Sequence, residues 1–216
     1  MSQNKINKLL IIGCGGHAKV ITDIAKSLGI SNLFFKDSNI EIKNFLGNEV
    51  LHNELKDYKE YFFVAIGDNF LREKVTNSFK VSNPQAKNAT LIHPSSYISD
   101  NCILGSGTVV MPLCVINSES KIGDGVILNT KSSIDHDNTL MNFSSIGPGV
   151  VTGGNVIIGY RSSISIGAVI KNGIEVGSDS VVGGASFVNK NIPNNCLAYG
   201  IPIEIIKNRN ANDKYL

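Results

Sequence analysis

From Ile92 onward every sixth residue is aliphatic. Steps of six give Ile92, Ile98, Leu104, Val110, Ile116, Ile122, Leu128, Ile134, Leu140, Ile146, Thr152, Ile158, Ile164, Ile170, Val176, Val182 and Val188. Sixteen of the seventeen are Ile, Leu or Val, with no slip of register over 97 residues. Four places after each, the residue is mostly small, as in Ser96, Cys102, Thr108, Cys114, Ser120 and Ser132. A helix needs an apolar spacing near 3.6 and a half-buried strand a spacing of two; six fits neither as one long element. It fits very short strands joined by tight turns, each turning one aliphatic side chain inward. Three hexads close a triangular coil of about 18 residues, so the pattern predicts nearly six coils of a parallel β-helix.

Composition agrees with a narrow prism, which has no room for large rings and whose corners favour Gly, Asn and Asp. The chain has no Trp, only Phe143 and Tyr160 are aromatic between residues 98 and 186, and 14 of its 21 Gly lie between 92 and 192. Its 20 basic and 18 acidic residues leave +2, too even for binding nucleic acid through phosphates. No apolar run reaches the ~18–20 residues of a membrane span, and the N-terminus lacks a signal-peptide layout. Four Cys (14, 102, 114 and 196) show no CxxC and no metal-ligand spacing, which points to a reduced, cytoplasmic protein without a metal.

Two domains and a tail follow: 1–85 a small α/β unit, 90–192 the β-helix, and 193–216 a polar tail, mobile over Lys207–Lys214. In the first unit a buried strand Leu9–Ile12 runs into Gly13-Cys14-Gly15-Gly16-His17-Ala18 and a helical stretch ending at Gly29. Further strands at Leu33–Phe35 and Tyr61–Ile66 are followed by a helix from Leu71 to Phe79. This is a Rossmann-like βαβ pattern whose glycines let the backbone approach a phosphate at a helix N-terminus. Asp37, 19 residues past Ala18, stands where an acid accepts from a ribose hydroxyl. The unit is about half a dinucleotide domain, so a mononucleotide or nucleotide-sugar is expected rather than NAD.

The densest polar knot is Asn129-Thr130-Lys131-Ser132-Ser133-Ile134-Asp135-His136-Asp137. With Ile134 inward, His136 projects at a corner between two acids, which hold one tautomer and stabilise the ring as it takes a proton. Gly154 lies 18 residues on, one coil above, where Gly153-Gly154 offers bare backbone and N–H groups to an oxyanion. Thr152, the one non-aliphatic inward position, heads that same hexad. His93 reads as a capping residue, His52 as part of a polar loop, and Cys102 and Cys114 as packing.

The hexads resemble those of the hexapeptide-repeat acyltransferases, and the resemblance alone implies that the coils wind left-handed. The order of glycine loop with His17, Ala65-Ile66-Gly67, Leu91-Ile92-His93-Pro94 and then hexads is similar to the sialic-acid and bacillosamine-type sugar acetyltransferases over about residues 6–200. That family implies nucleotide-sugar contacts at Gly15, Gly16, His17, Asp37, Ser38 and Gly67, and a sugar contact at Asn129. It implies a catalytic pair at His136 and Asp137 and an oxyanion amide at Gly154. Ser145, Ile166 and Gly184 fall at acetyl-CoA positions, Ser145 where many members carry a second histidine. It further implies a homotrimer with acetyl-CoA between neighbouring β-helices. The expected activity is acetyl-CoA-dependent N-acetylation of a nucleotide-linked 4-amino-4,6-dideoxyhexose, with His136 as general base in a direct attack. The alternatives are O-acetylation of a sialic-acid-like sugar and a nucleotide-binding β-helix without turnover.

Overall fold

A computed structural model describes residues 6–215. The N-terminal unit is built from β1 (Lys8–Ile12), α1 (Gly16–Ser27), β2 (Asn32–Lys36), β3 (Asn44–Phe45), β4 (Asn48–Leu51), β5 (Tyr61–Val64), α2 (Asn69–Ser82) and β6 (Lys87–Asn88). Its sheet runs in the order β3-β4-β2-β1-β5-β6, parallel except for the β3–β4 hairpin. β1 is central, which is why Leu9, Leu10 and Ile11 form an unbroken apolar run: both faces are covered. α1 presents Ala18, Ile21, Ile24 and Ala25 to the core at helical spacing. α2 begins two residues before its expected start, because the Asp68 carboxylate caps it by accepting the Leu71 N–H at 2.8 Å.

The hexads form seventeen two-residue rungs, from Leu91–Ile92 to Phe187–Val188, on three flat faces. Rungs pair in parallel with those 18 residues on, Val109 with Ile127 and Val110 with Leu128. The second residue of each rung points inward, so Ile116, Leu128, Ile134, Ile146 and Ile158 stack in a fully buried column. The fourth residue of each hexad takes the turn, commonly at positive φ: Gly125, Gly149 and Gly167 do so, and so do Lys131, Asp137 and Asn155. First residues point outward. On the first face these are Leu91, Val109, Ile127, Ser145, Ser163 and Val181, all buried except the half-buried Ser145. On the second they are Tyr97, Val115, Ser133, Val151, Val169 and Phe187, of which Tyr97, Val151, Val169 and Phe187 are exposed.

The N-terminal unit lies on the first face, pinned by α2. The Arg72 side chain, 1% exposed, donates to the carbonyls of Ile66, Gly67, Gly125 and Phe143 and to Asn69 Oδ1. Asn69 Nδ2 in turn donates to the Arg161 and Ser162 carbonyls. Glu73 accepts from Tyr160 Oη and, at 2.8 Å, from Arg161. The tail departs from expectation. Cys196–Tyr199 adds a rung to the first face beside Val181–Val182, and Glu204–Asn208 pairs antiparallel to it. Arg209 is buried and donates to the Asp179 and Asp213 carbonyls, and the Asn69 N–H donates to Tyr215 Oη. The segment expected to be mobile is a clasp over the seam between the two units.

Candidate active site

The corner between the second and third faces carries His136. Its Nδ1 lies 2.7 Å from Asp137 Oδ2, and its side chain is 54% exposed. A carboxylate only accepts, so Nδ1 carries the hydrogen and Nε2 is left with a free lone pair. The Asp137 hydrogen bond, then the Asp135 charge, raises the imidazole pKa above its ordinary value. Asp137 holds this place at φ 58°, the left-handed conformation that the turn demands and Asp tolerates.

Gly154 is the coil-mate of His136, as the spacing predicts. A Cβ there would lie 2.5 Å from His136 Cε1 and 2.6 Å from Nε2, so only glycine leaves the ring its place. The Gly154 N–H has no hydrogen-bond acceptor among the described residues. At Asp124 and Ser178, which hold the same hexad place, Asn142 and Asn194 side chains accept the N–H. Asn138, buried, joins the two turns: its amide donates to the Asp135 and Gly153 carbonyls and accepts the Val156 N–H. Asn138 has no counterpart among the candidates above; its sequence signal is an amide in a hexad place otherwise given to small or aliphatic residues. The corner thus offers a proton acceptor and an unpaired donor one coil apart.

Asn129, Ile166 and Gly184 lie along the corner between the first and second faces, the other edge of the exposed face that His136 borders. Ile166 is 63% exposed and stacks against Gly184, where a Cβ would come within 3.2 Å of its side chain. Ser145 stands apart from both edges. It is on the first face, where its hydroxyl accepts from Asn69 and donates to Ser163.

The glycine loop, Asp37, Ser38, His52 and Gly67 line a cavity of about 610 Å³ at the carboxyl ends of β1, β2 and β5, where ligands bind open α/β sheets. No protein atom lies within 4 Å of where a Cβ on Gly15 or Gly16 would be, so the space above the loop is open. Asp37 staples this loop: Oδ2 accepts the Cys14 N–H at 2.7 Å and Oδ1 the Asn39 N–H at 2.8 Å. Each carboxylate oxygen keeps a second lone pair for a ligand. His17 also lines this cavity, its pKa lowered to about 4 by burial and then by the Arg72 charge, and its buried Nε2 has no hydrogen-bond partner among the described residues. His52 donates from Nδ1 to the Asp37 carbonyl. Arg72, which ties Gly67 to the β-helix, has no sequence signal: it looks like an ordinary charge on a polar helix.

All four cysteines are free and buried, and burial pushes the Cys14 thiol up to about 11. The described residues contain no cluster of His, Cys, Asp or Glu able to hold a metal ion. No helix among them is long and apolar enough to cross a membrane.

Residues 8–79 match the family described as the PglD N-terminal domain. GDP-perosamine N-acetyltransferase of Escherichia coli O157:H7 is 31% identical over 121 residues, 54% of this chain and 54% of that protein. The match therefore spans about half the length of that curated relative. Solved structures match nearly end to end. PerB from Caulobacter crescentus, in complex with CoA and GDP-perosamine, is 32% identical, with 94% of this chain and 99% of that one covered and a TM-score of 0.86. The acetyltransferase domain of PglB from Neisseria gonorrhoeae, in complex with acetyl coenzyme A, is 33% identical, with 94% and 100% covered and a TM-score of 0.87. The two-part architecture is that of the left-handed β-helix acetyltransferases.

Proposed function

This chain belongs to the hexapeptide-repeat sugar acetyltransferase family, and we propose that it moves the acetyl group of acetyl-CoA onto the amine of a nucleotide-linked 4-amino-4,6-dideoxyhexose. The observation that carries the reading is the His136–Asp137 pair with the unpaired Gly154 N–H one coil above. His136 Nε2 takes the proton from the sugar amine as the nitrogen attacks the thioester carbonyl. The tetrahedral oxyanion accepts from the Gly154 N–H. The C–S bond then breaks, and the imidazolium returns its proton to the departing CoA sulfur. Holding two substrates together supplies up to ~7–11 kcal/mol, and the base adds ~10²–10⁴-fold.

The glycine loop, Asp37 and Gly67 are the proposed seat of the nucleotide, with Asn129 on the sugar and Ile166 and Gly184 along the CoA arm. The N-terminal unit covers the first face, whereas His136 is on the corner opposite that face. The acceptor sugar of one subunit is therefore delivered to His136 of the partner subunit. A homotrimer supplies that neighbour, and the apolar second face, with Tyr97, Val151, Val169 and Phe187, is the surface it buries. Light scattering should give about three times 23.2 kDa; a mass near 23.2 kDa would contradict the assembly.

The activity is tested by following CoA release from acetyl-CoA with UDP-, GDP- and dTDP-linked 4-amino sugars and with a free sialic acid. Turnover on one of the nucleotide-linked amines is expected. Turnover on the sialic acid alone would replace N- with O-acetylation, and none on any would leave a binding protein.

A further inference from the structure

The β-helix ladder has one fault, and it falls at the candidate active site. From His93 to Lys171, fourteen residues directly follow an inward rung position, and thirteen donate their N–H to the carbonyl of the inward residue one coil on. Asp135 is the exception. Its N–H goes instead to the Thr152 hydroxyl, at 3.2 Å. Ser133 still pairs with Val151, but the pairing of Ile134 with Thr152 is lost. The Asp135 carboxylate accepts the His136 N–H at 2.9 Å and the Asn117 side chain at 3.2 Å. So the one polar side chain in the inward column takes the amide of the residue before His136 off the ladder.

We propose that Thr152 is a positioning residue for His136, its buried hydroxyl setting the Asp135 main chain and, through the Asp135 carboxylate, the turn that aims the imidazole at the substrate amine. Packing alone does not call for a hydroxyl here. Thr152 is buried among Ile134, Ile170 and their neighbours, and an aliphatic residue fills every other inward place of the repeat. Valine has nearly the shape of threonine and no acceptor. With it the Asp135 N–H returns to the main-chain carbonyl, the ladder closes and the corner moves. A displacement of about 1 Å at a reacting centre costs about 10²-fold.

This inference rests on the general-base reading of His136, and the experiment separates the two. Thr152→Val, Thr152→Ala, Thr152→Ser and His136→Ala are made in the full chain. They are assayed with acetyl-CoA and the nucleotide-linked amine that the parent turns over. Thr152→Val is expected to melt at or above the parent temperature, keep both KM values within about twofold and lose about 10²-fold in kcat. Thr152→Ala should show the same split despite a lower melting temperature, and Thr152→Ser, which keeps the acceptor, should recover most of the kcat. If His136→Ala is inactive while Thr152→Val or Thr152→Ala keeps kcat within about threefold of the parent, the positioning role is wrong and the base stands. If His136→Ala itself stays active, both readings fall.

Discussion

Each part of the chain has, at its candidate site, a histidine whose pKa is displaced, and the two are displaced in opposite directions. His136 stands half exposed on a β-helix corner, and the Asp137 hydrogen bond and Asp135 charge raise its pKa. His17 lines the cavity at the glycine loop, and burial with the nearby Arg72 charge lowers its pKa to about 4. The first becomes a cation readily; the second stays neutral. The β-helix can hold an exposed candidate base because main-chain ladder bonds, with the Asn138 and Thr152 side chains at this corner, fix the turn, so geometry does not depend on burial. The N-terminal unit has no such period. It fixes its loop with single polar staples, Asp37 to Cys14 and Arg72 to Gly67, that need enclosure to be strong.

That contrast can be broken at either end. The largest effect is expected from Gly154→Val. A Cβ at 154 overlaps the imidazole and drives the base from its place, and a positioned general base is worth ~10²–10⁴-fold, so kcat should fall by about that much while the fold persists. A Cβ on Gly15 has open space, so Gly15→Val should leave the fold intact, yet fill the space where a phosphate would approach. The nucleotide-sugar KM should rise about 10–100-fold, the worth of a lost charge-assisted hydrogen bond, with the acetyl-CoA KM within about twofold. Equal rises in both would remove the loop from the acceptor site.

Asp137→Asn is expected to cost less than the ~10²–10⁴-fold of the base itself. Its clearest readout is the pH profile. A base acts when unprotonated, so kcat/KM rises with pH through the His136 pKa, which lies above the ordinary histidine value. Removing the Asp137 charge should move that limb to lower pH, whereas a limb set by the sugar amine would stay. The smallest effect concerns His17. Its folded pKa of about 4 lies below the unfolded value of 6.5, so between these the unfolded chain binds the extra proton. Its stabilising contribution is complete above pH 6.5 and is lost as pH falls towards 4. Urea midpoints across that window should fall less in His17→Leu than in the parent.

Much of this was legible in the sequence. A strict period places each residue by arithmetic, so the pairing of His136 with Gly154 followed from a step of 18. Thr152 was visible as the break in the aliphatic column, but that its hydroxyl takes over a ladder bond depends on where Asp135 lies. In the N-terminal unit the strands were legible as apolar runs, while Arg72 was not. Its burial depends on carbonyls at 66–67, 125 and 143 that only the folded chain assembles. For the same reason a polar stretch around Arg209 read as a loose tail, although Asp179 and Asp213 supply acceptors for its guanidinium. Ser145 was readable only by resemblance, and its hydrogen bonds lie with Asn69 and Ser163.

In the proposed trimer the pocket of one subunit feeds the His136 corner of the next, and mixed assemblies put this to the test. His136→Ala and Gly15→Val subunits are each assembled alone and then together in equal amounts, with nucleotide-sugar well below the KM of the Gly15→Val protein. Each variant alone should be nearly inactive. Random mixing across a closed trimer should restore about a quarter of the parent rate, because that share of sites joins an intact loop to an intact His136. No recovery at any mixing ratio, with mixed trimers shown to form, would contradict the account.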